Sequence, residues 1–224
     1  MLNYRLALAA CLFFAISSNI AYAKEIPVQG RLFAGSTSID PKNVNETIEA
    51  QGLQKIDTAM QLGIEITYPL LKYLDVGLRY TKRNAEKDEQ PSNASTDYSA
   101  KIEQDAMLLV ARVPIVKSDF VRLDVFGGVG GSNTTFTLKS ASQNGELTRK
   151  EAEGWFATPY TAVGASVAFG YKQFYVVFEG GVETNKVDGF KRSGTVSSSL
   201  DTVDLSGSYF TVGLMFDGVP GSIK

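Results

Sequence analysis

The chain has 224 residues, a length for one domain, and its 21% charged content with a formal net charge of -2 offers no bulk basic surface to nucleic acid. It contains no histidine, and its single cysteine is Cys11. These absences exclude a histidine general base, a Ser-His-Asp triad, the common zinc, copper and haem-iron sites and a disulfide framework, so no cofactor is expected.

Residues 1–23 read as an export signal. Met1 to Arg5 carries one positive side chain, Leu6 to Ile16 is the apolar run LALAACLFFAI, and Ala21-Tyr-Ala23 supplies the small-residue cleavage pattern. The run is shorter than the about 20 apolar residues needed to cross a bilayer as a helix. Leu8-Ala-Ala-Cys11 also spells a lipoprotein box, but the apolar core continues past the cysteine. Cleavage after Ala23, with loss of Cys11, is therefore the expectation. What remains divides into residues 24–216, one β-domain, and a short tail over 217–224.

From Ile26 onward the chain alternates with a period of two, the strand signature. A first strand with blurred alternation covers Val28–Gly35. In the second, Leu62, Ile64, Ile66 and Tyr68 oppose Gln61, Gly63, Glu65 and Thr67; in the third, Leu74, Val76, Leu78 and Tyr80 oppose Asp75, Gly77 and Arg79. The fourth sets Ile102, Ala106, Leu108 and Val110 against Glu103 and Asp105, with Gln104 spoiling the apolar side and Met107 and Leu109 the polar one. The fifth sets Val121, Leu123, Val125 and Val129 against Arg122, Asp124 and Gly128. The sixth opposes Thr161, Val163, Ala165, Val167 and Phe169 to Ala162, Gly164, Ser166 and Ala168. The seventh opposes Phe174, Val176, Phe178 and Val182 to Glu179, Gly181 and Glu183, and the eighth carries Phe210, Val212, Leu214 and Phe216 on one face.

The connections alternate without exception. Three are short, around Pro69–Lys72, Pro114–Ser118 and Gly170–Gln173, and four are long and polar, around residues 37–57, 82–99, 131–155 and 185–203. Within the third long connection, ELTRKEAEGW reads as a helical turn or as loop, and Thr135–Lys139 as loop or as a strand prolonged beyond the membrane. An up-and-down meander built this way has every long loop at one end and both termini at the other. So many long loops argue against an ordinary soluble sandwich.

The apolar faces are nearly free of charge, while the opposite faces mix small residues with charges of both signs. Buried charges persist when they are paired and hydrogen-bonded. The expectation is an all-β, eight-stranded antiparallel up-and-down transmembrane β-barrel with lipid outside. Glu65, Arg79, Glu103, Asp105, Arg122, Asp124 and Glu179 would form an ion network in its lumen. Closure follows because hydrocarbon leaves no unpaired sheet edge tolerable. Gly63, Gly77, Gly128, Gly164 and Gly181 suit the narrow bore of eight strands, which side chains fill. Aromatics fall in two bands: Tyr68, Tyr73, Phe169, Tyr171, Phe174 and Phe216 toward the short turns, and Tyr80, Tyr98, Trp155, Phe156 and Tyr160 toward the long loops.

On these features the chain resembles the small outer-membrane β-barrels of Gram-negative bacteria, the eight-stranded group that contains the OmpX-like barrels and the membrane domain of OmpA. The resemblance covers roughly residues 26–216 and includes the closing strand Tyr209–Phe216; the chain departs from it by continuing through DGVPGSIK to Lys224. It implies a location in the cell outer membrane and assembly by the outer-membrane machinery. Phospholipid and lipopolysaccharide would surround a monomer whose loops are available to an unidentified extracellular ligand. A structural or surface-interaction role without catalysis is the expectation. The alternatives are a narrow diffusion pore for small solutes and a soluble, lipocalin-like periplasmic binding barrel.

Overall fold

A computed structural model of the chain describes residues 28–50, 53–89, 98–140, 145–150, 158–171, 173–188, 191–194 and 202–218. The signal-peptide reading of residues 1–23, Trp155, Phe156 and most of the tail lie outside them. In chain order the elements are β1 (Gln29–Ile39), α1 (Lys42–Glu49), β2 (Thr58–Leu71), β3 (Leu74–Glu89), β4 (Tyr98–Lys117) and β5 (Val121–Ser140). They continue with β6 (Gly145–Lys150), β7 (Thr158–Tyr171), β8 (Phe174–Asp188), β9 (Lys191–Gly194), β10 (Thr202–Asp204) and β11 (Gly207–Asp217).

Antiparallel pairing runs β1–β2–β3–β4–β5–β7–β8–β11 and returns from β11 to β1, from Gln29 opposite Asp217 to Ile39 opposite Gly207. Eight strands thus close a barrel with no free edge along its wall. Beyond the start of β7, β6 takes over the edge of β5 and β9 pairs with β6. β10 meets β8 in the register of β11, so β10 and β11 are one closing strand interrupted at Leu205-Ser206, where the Leu205 N–H donates to Asn185 O at 2.8 Å.

The short connections lie where alternation placed them. The register shifts between Pro69 and Leu71 and again between Pro114 and Val116. Proline has no N–H for the ladder, so each irregularity sits where a proline would otherwise break the pairing. The described parts of the long connections are largely structured. β3 runs on to Glu89, β4 starts at Tyr98, β5 reaches Ser140, and residues 42–49 are helical. The possible helical turn at ELTRKEAEGW is not helix in its described part: Gly145–Lys150 is the strand β6, because the hairpin returns along the still-extended β5.

The wall therefore has two tiers. Toward the short turns, outward side chains are apolar and exposed, among them Leu62, Leu78, Leu109, Val129, Val163, Val182, Phe210 and Leu214. Toward the long loops they are mostly polar, as at Lys82, Asn84, Lys101, Glu103, Asn133, Lys139 and Lys186, with Met60 an exposed apolar exception. Inside, the order is reversed. β4 shows both tiers on one strand, with Ala100 and Ile102 buried at the loop end, Gln104 at the junction, and Arg112 buried near the turn end.

Candidate functional site: an ion-paired lumen under an apolar cap

Among the described residues five arginines (Arg31, Arg79, Arg83, Arg112, Arg122) and five carboxylates (Glu65, Asp75, Asp124, Glu179, Glu183) are buried, so their charges balance. The centre joins strands across the bore. Arg112 on β4 donates from Nε to Glu65 on β2 and from Nη2 to Glu65 and Glu179, the latter on β8 at 2.6 Å. Arg79 on β3 donates from Nε to Glu65 at 2.7 Å and reaches Glu179 at 2.7 Å. Arg31 on β1 reaches Asp124 on β5 at 2.5 Å and Ser166 on β7 at 3.1 Å. Tyr209 adds a donated bond to Glu179 at 3.1 Å. Toward the turn end, Arg122 holds Asp124 at 2.7 Å and Asp75 at 2.5 Å.

Aromatic rings cover the flat faces of two of these guanidiniums, which hydrogen bonds leave bare. The Arg79 guanidinium lies 4.8 Å from the Phe33 ring centre and 4.6 Å from that of Phe126, and Arg112 lies 4.3 Å from the latter. Two glycines make room for the rings. A Cβ at Gly63 would stand 2.2 Å from the Phe33 ring, and one at Gly181 would stand 2.9 Å from the Tyr209 ring.

Above this centre lies a polar junction. Arg83 contacts both Glu183 and the Tyr160 hydroxyl, and that hydroxyl donates to Glu183. Gln104 donates to Thr134 at 3.0 Å and to Asn185 at 2.7 Å. Higher still, the lumen is apolar: Ile39, Ala85, Ala100, Ile102, Phe136, Leu138, Val187, Val203 and Leu205 point inward and pack with Val44 and Ile48 of α1 and with Leu53 and Ile56.

α1 starts behind Pro41 and puts Val44 and Ile48 one turn apart on a single face, where both are fully buried. Eight residues are too few for a helix to persist alone, so the cap forms only against the barrel mouth. Asn45 fastens it. Its Nδ2 donates to Ile56 O at 3.0 Å and its Oδ1 accepts the Ile56 N–H at 2.8 Å, which ties the helix to its return segment as a backbone pair would.

Of the seven residues singled out in the sequence, Glu65, Arg79, Arg122, Asp124 and Glu179 lie together in the lumen. Glu103 and Asp105 do not. They face outward on β4, Glu103 3.1 Å from Lys101 and Asp105 accepting from the Tyr80 hydroxyl. The reason is the medium: Glu103 sits in the loop-side tier and Asp105 at its border, paired with the outward Lys82 and Asn133, where polar side chains belong outside. Tyr160, expected in an outer aromatic band, is buried in the lumen instead. Arg31, Asp75, Arg83, Arg112 and Glu183 complete the interior and were missing from the expected network. Arg112 had a signal, because it continues the alternation of β4 two residues beyond Val110. Among the described residues no cluster of side chains is suited to hold a metal ion.

No protein-family model matches the chain, and no curated protein matches its sequence. Some solved structures are similar to it. Ail, the attachment invasion locus protein of Yersinia pestis, is 12% identical over 87% of this chain and 99% of its own, with a TM-score of 0.44. The outer membrane protein OprG from Pseudomonas aeruginosa is 17% identical over 86% and 96%, at 0.46. A major outer membrane protein from Thermus thermophilus is 12% identical over 85% and 99%, at 0.46.

Proposed function

We propose that the chain is a monomeric outer-membrane barrel that does not conduct solutes and acts, structurally or by interaction, through the loop end it displays outside the cell. The observation that carries this reading is a lumen filled by side chains along its described strands. The central ion pairs bridge opposite strands, with Arg112 and Glu65 wholly buried, and the cap closes the loop end. Among the described residues, cavities at Arg31–Glu179 and at Arg83–Gln104 measure about 10 Å³ each. The lumenal carboxylates of the centre are all held by arginines, which leaves none as a free acid or base.

The apolar outer tier supports the membrane. Water-exposed Leu62, Leu78, Leu109, Val129 and Phe210 would form a continuous greasy belt far beyond what a soluble surface tolerates. This disfavours the soluble binding barrel. Ring pairs near the short turns, Phe120–Tyr171 at 5.5 Å and Phe174–Phe216 at 5.1 Å, suit a headgroup boundary there. Short turns and termini are then periplasmic and α1 is extracellular, as is usual for such barrels. Signal cleavage after Ala23 fits this route, and a mature chain beginning at Lys24 is what intact-mass analysis is expected to show.

Single-channel recording in planar bilayers tests the closed lumen. The expected result is no steady conductance. A reproducible solute-sized conductance would replace this reading with the diffusion pore. Release from membranes by carbonate without detergent would instead restore the soluble barrel.

A further inference from the structure

We infer that the junction between the two tiers is a binding site for a single water molecule, held between Arg83 and Gln104. The side chain of Asn185 sets up the site. Its Nδ2 donates to the Pro159 carbonyl at 3.2 Å and to Ser132 at 2.8 Å, and a carbonyl can only accept, so the orientation of this amide is fixed. Its Oδ1 therefore faces Gln104, which must meet it with Nε2, at 2.7 Å. That same nitrogen donates to Thr134, and Gln104 Oε1 is left buried without a protein partner. Arg83 is in the complementary state. Its Nη2 is engaged by Glu183 and Tyr160, while its Nε and Nη1 are buried donors with no acceptor.

Arg83 and Gln104 together line a cavity of about 10 Å³, whose other walls are Ile39, Ala59, Ala85, Ile102 and Leu205. That is room for about one water, and leaving such buried groups unsatisfied is costly. The chemistry selects the occupant. It must donate to an amide oxygen and accept from a guanidinium. An anion would be repelled by Gln104 Oε1, a cation by Arg83, and an apolar group would leave both unpaired. Water alone, among species of that size, satisfies both. The apolar cap lies above it and the Arg83–Glu183 pair below.

A crystal structure of the full chain at better than about 2 Å, where ordered buried water is seen directly, tests the assignment. One density peak is expected within hydrogen-bond distance of Gln104 Oε1 and of Arg83 Nε or Nη1. An empty cavity, a direct Arg83–Gln104 bond, or an anomalous peak at the site after a bromide soak would overturn it. Water-to-protein NMR transfer in nanodiscs is the second measurement. A cross-peak from a slowly exchanging water to the Arg83 Nε–H is expected in the unaltered chain and lost in Gln104→Met. Its absence from the unaltered chain, or its persistence in the variant, would contradict the site.

Discussion

Below the level of Gln104 the staves wrap polar groups in an apolar coat; above it the same staves wrap apolar groups in a polar coat. The lower tier holds Arg112, Glu65 and Glu179 inside and Leu78, Leu109 and Val129 outside. The upper tier holds Ile102, Phe136 and Leu138 inside and Lys101, Glu103 and Lys139 outside. Strand geometry is unchanged across the boundary, and the register of β4 against β5 continues through it. What changes is the surrounding medium. Alternation says which side chains share a face, and only the solvent outside says which face is inside.

The two tiers are also held by different forces. The lower one depends on electrostatic complementarity among desolvated charges, where each group is tolerable only while its partners remain. The upper one depends on burial of apolar surface, worth about 1.5–3 kcal/mol for each fully buried large aliphatic or aromatic side chain. The consequences of damage should differ accordingly.

The largest effect is expected from Arg112→Met. It strands Glu65 and Glu179 beside one fewer cation, and breaking a buried ion pair from one side costs about 3–5 kcal/mol. Urea unfolding in micelles should show this as a lower midpoint of the whole barrel. An unchanged midpoint would mean that the lower tier is wet and its charges dispensable. Leu109→Arg should follow closely, at about 2–4 kcal/mol if its position lies near mid-bilayer, because the charge would face hydrocarbon. The matching change in the upper tier, Thr137→Arg, should leave the same midpoint within about 0.5 kcal/mol, as surface substitutions do.

Ile48→Ala should cost about 2 kcal/mol or more, as removal of a buried branched side chain does. Its effect should be local. Hydrogen exchange is expected to quicken in α1 and the upper parts of β4 and β5 while the lower strands keep their protection. Uniform loss of protection would mean that the tiers unfold as one unit. Smallest of all is Glu103→Gln, which removes an outward, partly exposed partner of Lys101 and should change stability by no more than about 0.5 kcal/mol. A loss of several kcal/mol there would return Glu103 to the lumen and break the comparison.

The lower tier was legible in the sequence because its contrast is strong. In β2, β3, β5 and β8 a charged residue interrupts an apolar alternation, and parity alone puts Glu65, Arg79, Arg122, Asp124 and Glu179 on the inner face. β4 was harder. Its apolar residues at 102, 106, 108 and 110 are inward, and Met107 and Leu109 are the outward pair that meets the apolar coat, so both faces look apolar near the boundary. Taking the charged face as inner was a rule of the lower tier applied to the upper. The cap was hidden for another reason. Val44 and Ile48 stand in a polar stretch whose composition reads as loop, and their burial depends on β3, β4 and β5 extending far enough to enclose them. Arg31 was missed because β1 alternates poorly, and its partners Asp124 and Ser166 lie on strands far away in sequence.

The inversion itself is open to one direct measurement. The only cysteine is Cys11, so in a Cys11→Ser background single cysteines can be introduced along the outward face of β4 at Lys101, Glu103, Met107 and Leu109 and spin-labelled in liposomes. Labels at Met107 and Leu109 should be relaxed mainly by oxygen, which partitions into lipid, and labels at Lys101 and Glu103 mainly by a water-soluble nickel chelate. A label at Ile102, between the last two, should be reached by neither. If all four outward positions reported the same medium, or if Ile102 reported lipid or water while Lys101 and Glu103 were shielded, the two-tier account would be wrong.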